Sequence, residues 1–177
     1  MTLTEAKELL RAKAAGFFSE ATVLFSDQSR GPKPALPLLT LSFGDLRRPI
    51  HPSYRGLGAS RTGSYRCTVP VTVDLFTRGA ALETEAGTVW QDDAQDELLS
   101  FLDYLGSDPG VDWCAESDVA ILPEGPVRSL SGLLEGTSRE YRARAELLLS
   151  FTMEAGTFAA PLALDGGFFE EAAFAED

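Results

Sequence analysis

The chain has 177 residues, 44% of them hydrophobic and 24% charged, which is enough for one globular domain with a sizeable core. Its formal net charge of −12 and its pI near 4.5 argue against a general nucleic-acid binder, since such proteins carry a basic footprint. No run is apolar for long enough to span a membrane, and the first residues lack the basic-then-apolar order of a signal peptide.

The first part of the chain predicts one helix and three strands. Apolar residues recur at helical spacing over Thr4–Phe17, and the first residue of that range is a suitable N-cap. Short strands are predicted at Ala21–Asp27 and Leu38–Arg48, with a loop rich in Pro and Gly between them. A third strand, Tyr65–Phe76, is β-branched throughout, and Pro70 within it predicts an edge position or a bulge.

A strong second helix is predicted at Asp92–Ser107. Either Asp92 or Asp93 caps it and places negative charge at its positive end, and the turn Asp108–Pro109–Gly110 ends it. One apolar stripe should face the core; its members are Leu98, Leu99, Phe101, Leu102 and Leu105.

The last strand, near Arg139–Met153, alternates between two kinds of side chain. From Tyr141 to Phe151 one parity is apolar, whereas the other begins with charged residues. This alternation indicates a strand with one face on the core, and it leaves open what lies opposite the charged face. The order of helices and strands predicts an α+β fold, with a mainly antiparallel sheet covered by helices.

We expect a single domain over residues 1–156, followed by an acidic, aromatic tail over residues 157–177. The tail contains no Lys or Arg. Its aromatic residues are too many for a purely solvated segment, so they should make contacts outside the core of the domain; they are Phe158, Phe168, Phe169 and Phe174.

A long basic loop, residues 44–66, interrupts the acidic chain. It carries one acid, Asp45, and the arginines Arg47, Arg48, Arg55, Arg61 and Arg66. One interpretation is a solvated loop whose arginines pair with acidic surface nearby. The other is a contact arm that reaches the acidic patch or phosphate backbone of a partner. Long loops inside compact domains are usually functional or disordered.

The sequence offers no catalytic, cofactor-binding or metal-binding motif. His51 is the only histidine, which excludes a two-His zinc motif, and it is interpreted as a surface or contact residue. Cys67 and Cys114 stand in unrelated contexts and are interpreted as packed thiols of a cytosolic protein. The glycines of Gly56–Gly63 lack the lysine and the spacing of a phosphate-binding loop. We therefore expect neither an enzyme nor a cofactor.

Several motifs after the second helix resemble the tail terminator (neck terminator) proteins of tailed bacteriophages. The likeness covers roughly Tyr65 to Phe151 and includes the third strand with its final glycine. The shorter motifs are Asp108–Pro109, Asp112–Trp113, Pro126–Val127–Arg128 and Arg144–Ala145–Glu146–Leu147.

The resemblance implies a structural virion protein of the tail or neck, assembled in the host cytoplasm. Such a protein forms a ring, expected to be hexameric, that caps the tail tube and joins it to the head connector or stopper protein. DNA passes through the lumen without specific binding. The acidic chain fits this role, because a strongly positive lining would hold phosphates.

The resemblance also suggests roles for the candidate residues. The arginines of the basic loop would contact the last ring of the tail tube or, as the second choice, the adjacent subunit. The aromatic tail would dock on a neighbouring ring. The inter-subunit contact would involve Arg139, Arg142, Arg144 and Glu146.

Two other classes of protein stay open. One is another head–tail joining or tail completion protein, since these also form rings from small α+β domains. The other is a small monomeric ligand-binding domain or enzyme, which would need a pocket with convergent polar groups.

Overall fold

The computed structural model describes most of the chain. The described residues are 1–28, 34–55, 62–85, 87–133 and 139–155, with the backbone alone at 132, 133 and 139.

The described residues contain three α-helices and ten strands. In chain order they are α1 (Leu3–Phe17), β1 (Thr22–Phe25), a 3-10 turn (Ser26–Gln28), β2 (Leu38–Phe43), β3 (Ser53–Arg55), β4 (Thr62–Thr77), β5 (Ala80–Thr84), β6 (Gly87–Gln91), α2 (Ala94–Gly106), α3 (Asp108–Glu116), β7 (Val119–Pro123), β8 (Arg128–Ser129), β9 (Gly132–Leu133) and β10 (Arg139–Glu154).

Two 16-residue strands, β4 and β10, form the centre of the main sheet. The order is β1-β2-β4-β10-β7, while β3 pairs with the first residues of β4, and β8 and β9 pair with β10. All of these pairs are antiparallel except β1 with β2, which run parallel. The sequence-based prediction of an α+β fold with a mainly antiparallel sheet is confirmed.

The pairing of β4 with β10 runs from Glu154 opposite Ser64 to Tyr141 opposite Thr77. Along this register the residues of one parity are buried, from Cys67 to Leu75 on β4 and from Tyr141 to Phe151 on β10. They form one core with buried residues of α1 and α2. The helices therefore cover the apolar face that the alternation predicts.

Helix α2 packs its apolar stripe against β4 and β10. Leu98 and Phe101 are fully buried and Leu105 is nearly so. Leu102 is only partly buried, and Leu99 is 40% exposed. The buried stripe is therefore narrower than predicted. Phe101 also joins α2 to the end of α1, because its ring centroid lies 5.2 Å from those of Phe17 and Phe18.

The first helix begins earlier than predicted. Its N-cap is Thr2, not Thr4: the Glu5 amide donates to Thr2 Oγ1 at 3.2 Å, and the Thr2 amide donates to Glu5 Oε2 at 2.7 Å. This reciprocal pair is a capping box, which satisfies two amides that a helix start otherwise leaves unpaired.

The turn predicted to end the second helix in fact begins another one. Helix α2 ends at Gly106, and Asp108–Pro109–Gly110 forms the first residues of α3. Proline suits that place, since its fixed φ is helical and its missing amide would have no helical partner. At the start of α2, Asp93 occupies the N-cap position without a capping bond, and its Oδ1 accepts instead from the Thr77 hydroxyl at 2.6 Å. Asp92 Oδ1 accepts from the Ala94 amide at 3.2 Å.

Strand β4 is central, so the edge position inferred from Pro70 was wrong. Strand β2 is shorter than predicted and ends at Phe43, which lies opposite Val71. The Pro70 carbonyl accepts from the Gly44 amide at 2.9 Å on that same side. In an antiparallel sheet the N and C=O of a residue point to the same neighbouring strand. The nitrogen of Pro70 therefore points to the side where β2 has already ended, so its missing N–H does not interrupt the pairing with β10.

The sequence analysis missed a hairpin formed by β5 and β6, which pair with each other and not with the main sheet. Gly79 at its base has φ +82°, and a Cβ there would overlap the Tyr141 ring and the Gln91 carbonyl. The Tyr141 hydroxyl donates to the Trp90 carbonyl at 3.0 Å. The hairpin is therefore fixed to the domain at its base, while all ten of its strand residues are exposed.

Candidate interaction surfaces

The charged face of β10 lies against a carboxylate on β4. Asp74 is the partner of Arg144 in the register, and its side chain is only 6% exposed. The Arg144 Nε and Nη2 atoms donate to Asp74 Oδ1 and Oδ2, both at 2.9 Å. Arg142 lies 3.2 Å from Oδ1 through Nε and 3.1 Å from Oδ2 through Nη2. The guanidiniums of Arg142 and Arg144 thus both bind the Asp74 carboxylate, so the charged face of β10 contacts an acidic residue of the neighbouring strand.

This cluster of Asp74, Arg142 and Arg144 sets the ionisation of its carboxylate. Burial alone would raise the pKa of Asp74, but hydrogen bonds from Arg144 and Arg142 and their positive charges outweigh it, and the pKa lies below its usual value. The hydrogen bond to Asp74 likewise raises the pKa of Arg144. The cluster keeps one net positive charge, and its two arginine side chains are 33% and 36% exposed.

The described part of the basic loop follows the edge of β4 beyond the end of β2. The Arg47 amide donates to the Thr68 carbonyl at 2.8 Å, and the Thr68 amide returns a bond of 2.9 Å. Further on, β3 pairs with Ser64, Gly63 and Thr62. We call residues 44–55 the arm; its arginines Arg47, Arg48 and Arg55 are exposed.

Large apolar side chains accompany the arginines of the arm. Leu46 is 37%, Tyr54 53% and Ile50 87% exposed. Arg48 places its guanidinium 4.5 Å from the centroid of the Tyr65 ring on β4. His51 is also exposed. Exposed apolar side chains close to arginines in the chain are typical of a contact surface.

The remaining predicted site residues are dispersed. Arg66 lies exposed within β4, and Glu146 lies exposed on β10 beyond Arg144. Arg61, the side chain of Arg139 and the tail residues Phe158, Phe168, Phe169 and Phe174 lie outside the described residues. The structure thus brings Arg142 and Arg144 together, and Arg66 lies beside the arm, on β4 between Ser64 and Thr68, the partners of Ser53 and Arg47.

Asp74 is the residue of this site that sequence reasoning missed. Its signal was present, because one acid stands among the apolar and β-branched residues of "VPVTVDLF". A carboxylate on a buried strand requires a counter-charge, and the arginines of β10 supply it.

The described residues offer little that resembles a catalytic centre. Burial raises the pKa of both thiols, Cys67 and Cys114, which makes them poor nucleophiles. A depression of about 380 Å³ near the end of α1 has one cationic group in its lining, Lys13, and the phenol of Tyr104. That ammonium lies 4.9 Å from the Tyr104 ring centroid and 4.8 Å from that of Trp113. The part of the chain that the structure describes contains no group of three or more potential metal ligands.

A family model described as phage neck terminator protein matches residues 6–167, most of the chain. The chain belongs to this family. The match confirms the resemblance found in the sequence motifs and extends it to the first helix. No curated protein matches the chain in sequence.

Membership of the neck terminator family makes the chain a structural component of the phage tail or neck, and thus of the virion. Proteins of this family work beside other head–tail proteins and are not typically enzymes. Within the described ranges, no helix is long and apolar enough to cross a membrane.

Proposed function

We propose that the chain is the subunit of a hexameric ring that caps the finished tail tube and joins it to the head connector or stopper protein. The observation that carries this proposal is the match to the neck terminator family over residues 6–167. The α+β fold and the exposed surfaces described above support it.

The arm and the hairpin provide two different surfaces through which the subunits of a ring can meet. A closed ring forms through heterologous contacts, in which two different surfaces of each subunit meet. The arm pairs with the first half of β4, and the hairpin follows its last residue, Thr77. Sixteen residues of strand span about 50 Å at about 3.3 Å each, so the two surfaces lie far apart.

Both surfaces expose apolar side chains of the size that anchors protein interfaces. On the hairpin, Leu82 is 47%, Val89 50% and Trp90 49% exposed. Leu82 is the register partner of Val89 and shares its face, whereas Trp90 lies on the opposite face. A hairpin with apolar groups on both faces is poorly stable alone in water, so burial against a neighbouring subunit would stabilise it.

The cluster around Asp74 offers a polar contact of the same interface. Each guanidinium carries five N–H donors, and Asp74 receives four contacts from the two arginines. The exposed parts of Arg142 and Arg144 can therefore bind a carboxylate of the next subunit. Glu146 extends this charged row along β10, and Arg139, the first residue of β10, is proposed for the same contact. Such pairs would fix the register of the ring more than its affinity.

Native mass spectrometry tests the ring directly. We expect the full chain to give assemblies of six copies of the 19.1 kDa subunit, alone or on purified tail tubes. A protein that stays monomeric in both conditions contradicts the ring and favours the small ligand-binding domain.

Capping should be abolished when serine replaces four arginines of the basic loop, Arg47, Arg48, Arg55 and Arg61. The loop would then lose the cations that bind an acidic tube surface. The fold should persist, since the described arginines of this set are exposed. The test is complementation of a terminator-deficient phage, followed by electron microscopy. We expect tails that exceed their normal length or that fail to join heads.

The control replaces Arg11 by serine, which removes a partly exposed arginine on α1, outside the proposed surfaces. This control should assemble normal tails. Capped tails of normal length that fail to join heads in the arm variant would favour a head–tail joining protein instead. Normal virions from the arm variant would contradict the role of the arm.

A further inference from the structure

We propose that the C-terminal segment, residues 156–177, covers the arm of its own chain. The occupied surface, which we call the arm patch, consists of Leu46, Arg47, Arg48, Ile50, Tyr54 and Arg55. The contact is a property of the isolated chain, so the proposal stands whether or not the arm meets a tail tube.

The described chain ends beside the arm patch. The Ala155 amide donates to the Gly63 carbonyl at 2.9 Å, directly after the last pair of β10 with β4. Gly63 is also the register partner of Tyr54 on β3. A Cβ at Gly63 would lie 3.0 Å from the Ala155 Cβ and 3.1 Å from the Tyr54 ring. Tyr54 and Ala155 therefore flank the same glycine on the same face of the sheet.

Of the arginines of the patch, Arg48 contacts this face. Arg47 and Arg55 pair with Thr68 and Thr62, whose parity is opposite to that of Gly63, so both lie on the other face and the segment would pass around the edge of the sheet to meet them. Tyr65 lies opposite Met153, two residues before Ala155, and the Arg48 guanidinium rests on its ring. The segment after Ala155 thus starts within two strand spacings, about 10 Å, of both Tyr54 and Arg48. Three residues of extended chain cover about 10 Å, so the segment is long enough for Phe158 to reach the Tyr54 side of the patch and for the later aromatics to reach around the edge of the sheet.

The chemistry of the segment complements that of the patch. Residues 156–177 carry the acids Asp165, Glu170, Glu171, Glu176 and Asp177 and no Lys or Arg. The patch offers arginines for the carboxylates and exposed apolar groups for the phenylalanines. Carboxylates bind guanidinium forks, and aromatic rings stack on guanidinium planes, so both parts of the segment find partners. The pair "FFEE" brings two rings and two carboxylates to adjacent positions.

The sequence analysis expected this segment to dock on a neighbouring ring, and the position of Ala155 now favours the arm of the same chain. Because the tether is short, the effective concentration of the segment at the arm of its own chain is in the millimolar range, which favours this contact over docking on another subunit. The arm would then be covered until a more strongly acidic surface displaces the segment. Before assembly, the segment would thus shield the arginines of the arm from nonspecific binding of other anions.

Photocrosslinking in the full-length chain tests this contact. A p-benzoylphenylalanine at position 168 should, on irradiation, form crosslinks to residues 46–55, identified by peptide mass spectrometry. The same group at position 122 is the control and should not reach the arm, because Leu122 is 55% exposed on β7, at the opposite edge of the main sheet. Raising the salt concentration from about 0.1 to about 1 M shortens the Debye length from about 10 to about 3 Å, and should lower the crosslink yield several-fold.

Charge reversal gives a second, independent measurement. Glutamate at Arg47, Arg48 and Arg55 should lower the crosslink yield at least about fivefold, the equivalent of about 1 kcal/mol. Adding Glu170→Arg and Glu171→Arg to that variant should restore the yield. Crosslinks from position 168 that avoid residues 46–55, or a yield unchanged by charge reversal, would overturn the proposal.

Isotope mixing decides whether the contact lies within one chain. Unlabelled chains carrying the crosslinker are mixed with fully ¹⁵N-labelled chains without it. We expect both peptides of each crosslinked pair to be unlabelled. Pairs that join an unlabelled tail to a labelled arm would overturn the proposal in favour of docking between subunits.

Discussion

Leu98→Asp should lower the free energy of unfolding by about 4 kcal/mol or more, enough to unfold many domains of this size. Leu98 is fully buried where α2 packs on the sheet. A carboxylate there would lose its hydration without gaining a partner, and the leucine contacts would be lost as well. Phe101 and Leu105 on the same stripe would lose packing around the new charge.

Leu99→Asp is the matched control, because Leu99 is the next residue of the same helix and is 40% exposed. The substitution is chemically identical, and an exposed site should change the free energy of unfolding by less than about 1 kcal/mol. Urea denaturation followed by circular dichroism measures both variants. Equal effects at the two positions would show that α2 does not pack as described.

The centre of the fold was predictable from the sequence because its signals are local. Alternation along β10 identifies the buried parity from Tyr141 to Phe151 without knowledge of the neighbouring strand. The apolar stripe of α2 likewise marks Leu98, Phe101 and Leu105. The width of the stripe was not predictable, since Leu102 and Leu99 lie one after the other beyond the same border, where the shape of the sheet decides burial.

The features that were missed depend on contacts between distant residues or on context around a turn. The Asp74 carboxylate lies 68 and 70 residues before the two arginines that hold it, so its partners follow only from the register of β4 with β10. The hairpin has no buried face, and its strands therefore lack the apolar alternation by which strands are recognised. Pro109 was read as a helix stop, although proline suits the first turn of a helix equally well.

The candidate surfaces were predictable in composition but not in geometry. The sequence identified the arginines of the arm, because five of them stand within a short stretch of an acidic chain. Their relation to Ile50, Tyr54 and the end of β10 required the pairing of β3 with β4. Adjacent strands place Tyr54 and Ala155 on either side of Gly63, although they are about a hundred residues apart in sequence.

Asp74→Asn should lower the free energy of unfolding by about 2 kcal/mol at pH 7. Removing one partner of a buried ion pair costs about 3–5 kcal/mol, and the partly exposed arginines reduce that figure, since water screens them. The amide keeps one acceptor oxygen but presents an N–H₂ group to the guanidiniums. Arg142 and Arg144 would then repel each other without a carboxylate between them. Asp103→Asn, which alters an exposed acid on α2, is the control and should have little effect.

The difference between the wild-type chain and Asp74→Asn should disappear in acid. The pKa of Asp74 is lower in the folded chain than in the unfolded chain, where it is about 3.9. The carboxylate therefore contributes its full stabilisation above that value and loses it as the pH falls through the folded pKa. Urea denaturation from pH 7 down to pH 3, at one protein concentration, measures this, since assembly would otherwise alter the apparent stability. We expect a constant difference above about pH 5 and a shrinking one below about pH 4. A difference that stays constant down to pH 3, or that grows in acid, would contradict an ionised Asp74 held by two arginines.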